Sequence, residues 1–142
     1  MFSITEEPID VEMLLANVKD DSAGATILFL GTVRNHSEGY VVSAIYYEAY
    51  IRMAQDVMAN IEAETLKRWN LIKFAAVHRI GHLKIGEVSV AIAVSSEHRA
   101  EAFEAGKYAI DQIKSQVPIW KKETIDGGRE ARWVQGTPMG GD

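Results

Sequence analysis

The chain has 142 residues, 47% hydrophobic and 25% charged, enough to bury one core without disulfide or metal staples, so a single domain is expected. It contains no cysteine, which excludes disulfides, a thiol nucleophile and Cys-ligated zinc or iron-sulfur centres, and fits a reducing cytoplasm. The formal net charge of −5 resides in residues 1–30, with six acids against one lysine, while residues 31–142 hold 14 charges of each sign; this balance argues against nucleic-acid binding and leaves a small anionic ligand allowed.

The longest apolar runs, Ile27 to Leu30 and Val90 to Val94, fall far short of the roughly 20 residues of a membrane span. Glu6 and Glu7 stand where a secretory signal carries basic residues, so neither membrane insertion nor export is expected. Asp10 caps a predicted helix on which Val11, Leu14, Leu15 and Val18 form the apolar face, with Ile9 at the staple position. Ala25 to Val33 is almost wholly apolar and predicts a strand covered on both faces, delivering Arg34 into a polar loop that ends at Gly39. Val41 to Tyr47 reads as a strand, and Tyr50 to Trp69 as a helix with Met53, Ala54, Val57, Met58, Ile61 and Leu66 near a 3.6 period. Lys73 to Ile80 and Glu87 to Ser95 predict two strands joined by a short connection, Gly81 to Gly86, with Val88, Val90, Ile92 and Val94 alternating.

Ser95 and Ser96 are expected to cap a helix starting near Glu97, whose stripe Phe103, Lys107, Ile110, Lys114 and Val117 sets Lys114 among apolar neighbours. Pro118 stops that helix and biases Val117 towards extended backbone, so Ile119 to Ile125 becomes a strand with Ile119, Lys121 and Glu123 on one face and Lys122 on the solvated one. Asp126-Gly127-Gly128 predicts a turn, Ala131 to Val134 a last short strand, and residues 136–142 a flexible tail beyond a domain of residues 1–135. The order of elements predicts an α+β fold with a mixed sheet.

Lys114 and Lys121 bracket the proline corner, and two ammonium groups so placed are expected to meet in one anion-holding pocket. Desolvated lysines shift towards pKa values useful for proton transfer, although a lysine ending a helix also has an ordinary role opposite the macrodipole. Arg34 at a strand exit, and His98 with Arg99 at a helix start where backbone N–H groups are free, suit a phosphate or carboxylate; plain capping and a surface ion pair would explain the second group equally. Phe29 is core by default, yet stands close enough to Arg34 to wall a pocket. His78 and His82 sit at a strand end and a turn, not on one helix, so no metal site is expected; His36 is read as solvated and Arg79 as paired with a surface acid.

Five segments in register resemble the large, catalytic subunit family of molybdopterin synthase: Phe29 to His36; Tyr47 to Tyr50 with Met53 and Ala54; His78 to Glu87; Ser95 to Phe103; and Val117 to Glu123 with Trp133 and Val134. The resemblance runs from about Ile9 to Val134. It implies an α/β hammerhead-like single domain with a mixed sheet and an additional small β subdomain, and a homodimer carrying one small subunit at each end. It also implies a sulfurtransferase of molybdenum cofactor biosynthesis: sulfur passes from the glycine thiocarboxylate of a ubiquitin-like small subunit to cyclic pyranopterin monophosphate, forming the dithiolene of molybdopterin, with no cofactor of its own. By the same resemblance Lys114 and Lys121 are the catalytic pair, Arg34, His98, Arg99 and Phe29 the substrate contacts, and the site is one that residues of a neighbouring subunit can complete. A cysteine-free chain suits this task, because a partner must bring the sulfur. The competing expectations are a non-catalytic, anion-binding dimeric scaffold and a small acyltransferase with its ligand at Ser95 to Arg99.

Overall fold

Two sheets divide the strands of the computed structural model, which describes residues 1–125 and 130–135; the predicted Asp126-Gly127-Gly128 turn and the tail 136–142 lie outside the described residues. The elements run β1 (Phe2–Thr5), α1 (Val11–Val18), β2 (Ala25–Thr32), β3 (His36–Ser37), β4 (Tyr40–Ala49), α2 (Ile51–Arg68), β5 (Leu71–Arg79), β6 (Gly81–Lys84), β7 (Val88–Ser96), α3 (Arg99–Gln116), β8 (Ile119–Ile125) and β9 (Glu130–Gln135). The first sheet has the order β1-β5-β7-β2 and is mixed, since β1 runs parallel to β5 while the other pairs are antiparallel. The second is five-stranded and antiparallel, β3-β4-β8-β9 with β6 also on β4, and supplies the expected additional β unit. The α+β expectation holds.

Strand alternation sorts the core into two sides. Ala75 and Val77 of β5, with Ala91 and Ala93 of β7, pack under Leu14 and Val18 of α1, whose N-terminus Asp10 caps by accepting from Met13 N. Phe74 and Ala76, on the opposite side of β5, and Ile80 just beyond it join α2, α3 and the second sheet in the larger core through Met58, Ile61, Ala109, Ile113, Ile45 and Tyr47.

Three local expectations are corrected. β2 is an edge strand, half exposed along its length, because its outer neighbour position is empty in the sheet order. β7, between β5 and β2, keeps the expected alternation of large and small residues, and Ser89 to Ser96 are all buried because both of its faces are covered. Gly81 to Lys84 is a strand, since pairing with β4 satisfies its backbone. Helix α3 begins at Arg99 with His98 as N-cap residue; Ser96 Oγ instead donates to the His98 carbonyl at 2.5 Å. Its buried face is Ala102, Ala105, Gly106, Ala109 and Ile113, with Phe103 and Lys107 outside, the small residues of its first three turns letting it approach β7 and β2.

Candidate active site

The end of α3 makes the site. Val117 takes extended backbone (φ −75, ψ 128), as a residue before proline must, and Ile119 N donates to the Val117 carbonyl at 2.8 Å, a tight turn centred on Pro118. Lys114 therefore leaves the last helical turn towards the same space that β8 enters from below. Along β8, Ile119, Lys121, Glu123 and Ile125 are buried and the intervening residues half-buried, which is the predicted face assignment. Trp120, on the other face, packs edge-on against Tyr50 at 4.9 Å between ring centres.

Lys114 and Lys121 line one small cavity of about 20 Å³ together with Tyr47, His78, Ile113, Val117 and Ile119. Lys121 is only 6% exposed. Its cross-strand partner in β4 is Tyr47, 5% exposed, whose ring meets His78 edge-on at 5.3 Å. A second small cavity, of about 10 Å³, adjoins the same two residues: it is lined by Thr32, Val33, Arg34, His36, Ile45, Tyr47, Lys121 and Glu123. Lys121 and Tyr47 thus stand between an inner chamber holding Lys114 and an outer one holding Arg34.

Arg34 is exposed, but its loop is pinned. Val33 N donates to the Glu87 carbonyl, Gly86 N to the Val33 carbonyl and Val42 N to the Asn35 carbonyl, at 2.8 to 3.0 Å. Beyond it the chain reverses at Glu38 and Gly39, both with positive φ, as a two-residue hairpin turn between β3 and β4 requires. The reversal brings His36, expected in solvent, to the wall of the outer chamber while leaving it exposed.

Glu87, in the turn after β6, accepts from Lys84 N at 2.7 Å and from Arg79 Nη1 at 2.8 Å. These two interactions, the backbone one foremost, hold its carboxyl below the usual range. The expected ion pair of Arg79 is therefore present, but with its guanidinium largely covered.

Not every expected residue reaches the lysines. His98 and Arg99 are exposed at the opposite end of α3, so the helical rise puts them about 22 Å from Lys114 in the same chain. His98 sits 3.7 Å from Glu97 at the surface. Phe29 packs against the larger core and lines neither chamber, since its β2 position faces the helices. Conversely Tyr47, His78 and Glu123 belong to the chamber walls and carried no site role in the sequence reading. The signal for Glu123 was present, two residues from Lys121 on one strand face; Tyr47 and His78 needed the cross-sheet contact. Among the described residues no group of three His, Cys, Asp or Glu side chains could hold a metal ion, and no helix is long and apolar enough to cross a membrane.

Known proteins match this chain along most of its length. The Thermoplasma volcanium molybdopterin synthase catalytic subunit is 47% identical over 125 residues, 88% of this chain and 91% of the relative. The crystal structure of molybdopterin synthase from Staphylococcus aureus superposes with a TM-score of 0.86 at 41% identity, covering 92% of this chain and 94% of that one. A protein-protein complex of subunits 1 and 2 of molybdopterin-converting factor from Helicobacter pylori has a TM-score of 0.71 at 19% identity, covering 94% and 88%, and shares the fold. With the sequence model described as MoaE protein matching residues 4–116, the chain belongs to the MoaE family, the catalytic subunits of molybdopterin synthase.

Proposed function

We propose that this site carries out molybdopterin synthesis, with Lys114 and Lys121 as the catalytic pair. The observation that carries this is their convergence: two ammonium groups, one of them buried, wall one cavity in a chain without a thiol to carry sulfur. The sulfur donor is the thiocarboxylated C-terminus of a ubiquitin-like small subunit, a partner supported by the two-subunit complex among the structural relatives. Lys121 holds the thiocarboxylate or the acyl intermediate formed from it, and Lys114 assists proton transfer at the pterin carbons of cyclic pyranopterin monophosphate. Arg34, in the outer chamber, pairs with the substrate's phosphate.

His98 and Arg99 fit this site only as contributions from the second subunit of a homodimer, because one α3 separates them from Lys114. The reaction belongs to the cytoplasm, where the cysteine-free chain and its partner meet the precursor. Convergence of the lysines favours catalysis over a dimeric scaffold, and family membership favours sulfur transfer over acyl transfer. The test is reconstitution with thiocarboxylated small subunit and precursor: wild type forms the dithiolene product, and Lys114→Met and Lys121→Met, which keep stem volume, lose it at least about 100-fold. Near-normal product formation by either folded variant would remove that lysine from the mechanism.

A further inference from the structure

His78 is a buried imidazole that the roles above leave unused. It is 4% exposed, lies at the end of β5 on the side of the larger core, and walls the inner chamber with Lys114, Lys121 and Tyr47. Its Nδ1 lies 2.8 Å from the Arg79 carbonyl oxygen. A carbonyl only accepts, so Nδ1 carries the hydrogen in every protonation state and Nε2 is the atom that titrates. The flanking sheet neighbours of His78, Ile4 of β1 and Val90 of β7, are apolar. The titratable groups that line the chamber with it are therefore Tyr47 from β4, Lys121 from β8 and Lys114 from α3. In the neutral ring that this arrangement implies, Nε2 is an acceptor.

We propose that His78 is a positioning residue for the lysine pair: clamped through Nδ1 by the Arg79 carbonyl and braced by the Tyr47 ring, it presents Nε2 as the acceptor that orients a lysine ammonium in the inner chamber. The proposal rests on the catalytic assignment of Lys114 and Lys121. It also links the chamber to the turn after β6, since Arg79, whose carbonyl fixes the imidazole, is itself held by Glu87.

Two substitutions separate orientation from packing. His78→Asn keeps an amide donor near the Nδ1 position and removes Nε2, whereas His78→Gln reaches the Nε2 position with a group that does not titrate. Expected for His78→Asn is a folded protein whose kcat for dithiolene formation falls about ten-fold or more while KM for the precursor stays within about two-fold, with the pH-rate profile displaced. His78→Gln should recover part of kcat while keeping the pH-rate profile of His78→Asn, since neither amide titrates. A His78→Asn enzyme with wild-type kcat and pH profile would reduce the ring to packing.

Imidazole ¹⁵N spectra of the wild-type protein provide an arm that needs neither turnover nor a His78 variant. Nδ1 should stay protonated across the titration, and Lys114→Met or Lys121→Met should move the Nε2 resonance. A resonance indifferent to both overturns the proposal. If instead the resonance responds but reconstituted wild type makes no dithiolene, the catalytic assignment fails and the His78 contact stands.

Discussion

A lysine that is 6% exposed, as Lys121 is, lies on the strand face that alternation turns away from solvent, yet alternation alone does not set the depth of its burial. The alternation Ile119, Lys121, Glu123 was readable from the chain because Pro118 starts the count, but not that both charged residues go inside. That follows from Tyr47, Ile45 and His78, which close over the strand from elements 40 or more residues away. Lys121→Ala would accordingly cost stability through a cavity as well as activity, which is why the methionine variant is the cleaner probe. A second residue-scale expectation concerns acid. Glu87 is held below its ordinary value of 4.5 by Lys84 N and then by Arg79, so its contribution is fully present above that value and is lost as pH falls through the lower folded pKa. Asp20 behaves alike, lowered first by the Ser22 hydroxyl, then by Ser22 N and Lys73. Melting temperatures measured from neutral to strongly acidic pH should fall for wild type below about 4.5 and fall less for Glu87→Gln over the same window.

At the scale of elements, signals carried by neighbouring residues were legible and those set by distant packing were not. The Asp10 cap, the Pro118 corner and the end of α2, where Trp69 N donates to the Thr65 carbonyl, rest on chemistry within a few residues. The stripe assigned to α3 was displaced because helical periodicity alone cannot say which face meets the sheets; Ala102, Ala105, Gly106 and Ala109 do so because they are small. For the same reason Met53 and Leu66 of α2, which share the helical period, point outward while Ala54, Met58 and Ile61 are buried. Gly24 tests this close packing. A Cβ there would stand 2.2 Å from the Glu97 carbonyl oxygen, and Gly24 N donates to the Ser96 carbonyl, so backbone must move to admit a methyl. Gly24→Ala should destabilise by about 1–3 kcal/mol in urea unfolding, with the largest loss of amide protection at the entry to α3. Wild-type stability in that variant would show the junction to be pliable.

For the whole molecule, the mixed sheet and its helices were foreseeable from element order, while the size of the second sheet was not, because β6 and β3 are short and polar enough to read as loop. The separation of His98 and Arg99 from the lysines has a direct consequence for assembly. If the site is completed across a two-fold axis, Lys121→Met and Arg99→Ala damage opposite contributions to each pocket. Mixing the two inactive proteins under exchange then yields heterodimers with one intact pocket, and about a quarter of wild-type activity returns. No recovery from a mixture shown to contain heterodimers would mean that Arg99 does not complete the neighbouring subunit's pocket.

Lys121 and Tyr47 act as a party wall, with Lys114 on one side and Arg34 on the other. Substituting the wall should disturb donor capture and precursor affinity together, so its kinetics cannot be assigned to either event. Residues confined to a single compartment separate them. Arg34→Ala should raise the apparent Kd of the precursor about ten-fold or more and leave single-turnover transfer at saturation near wild type, and Lys114→Met should do the reverse. Identical profiles for the two would mean that the partition is open, and that both reactants share one room.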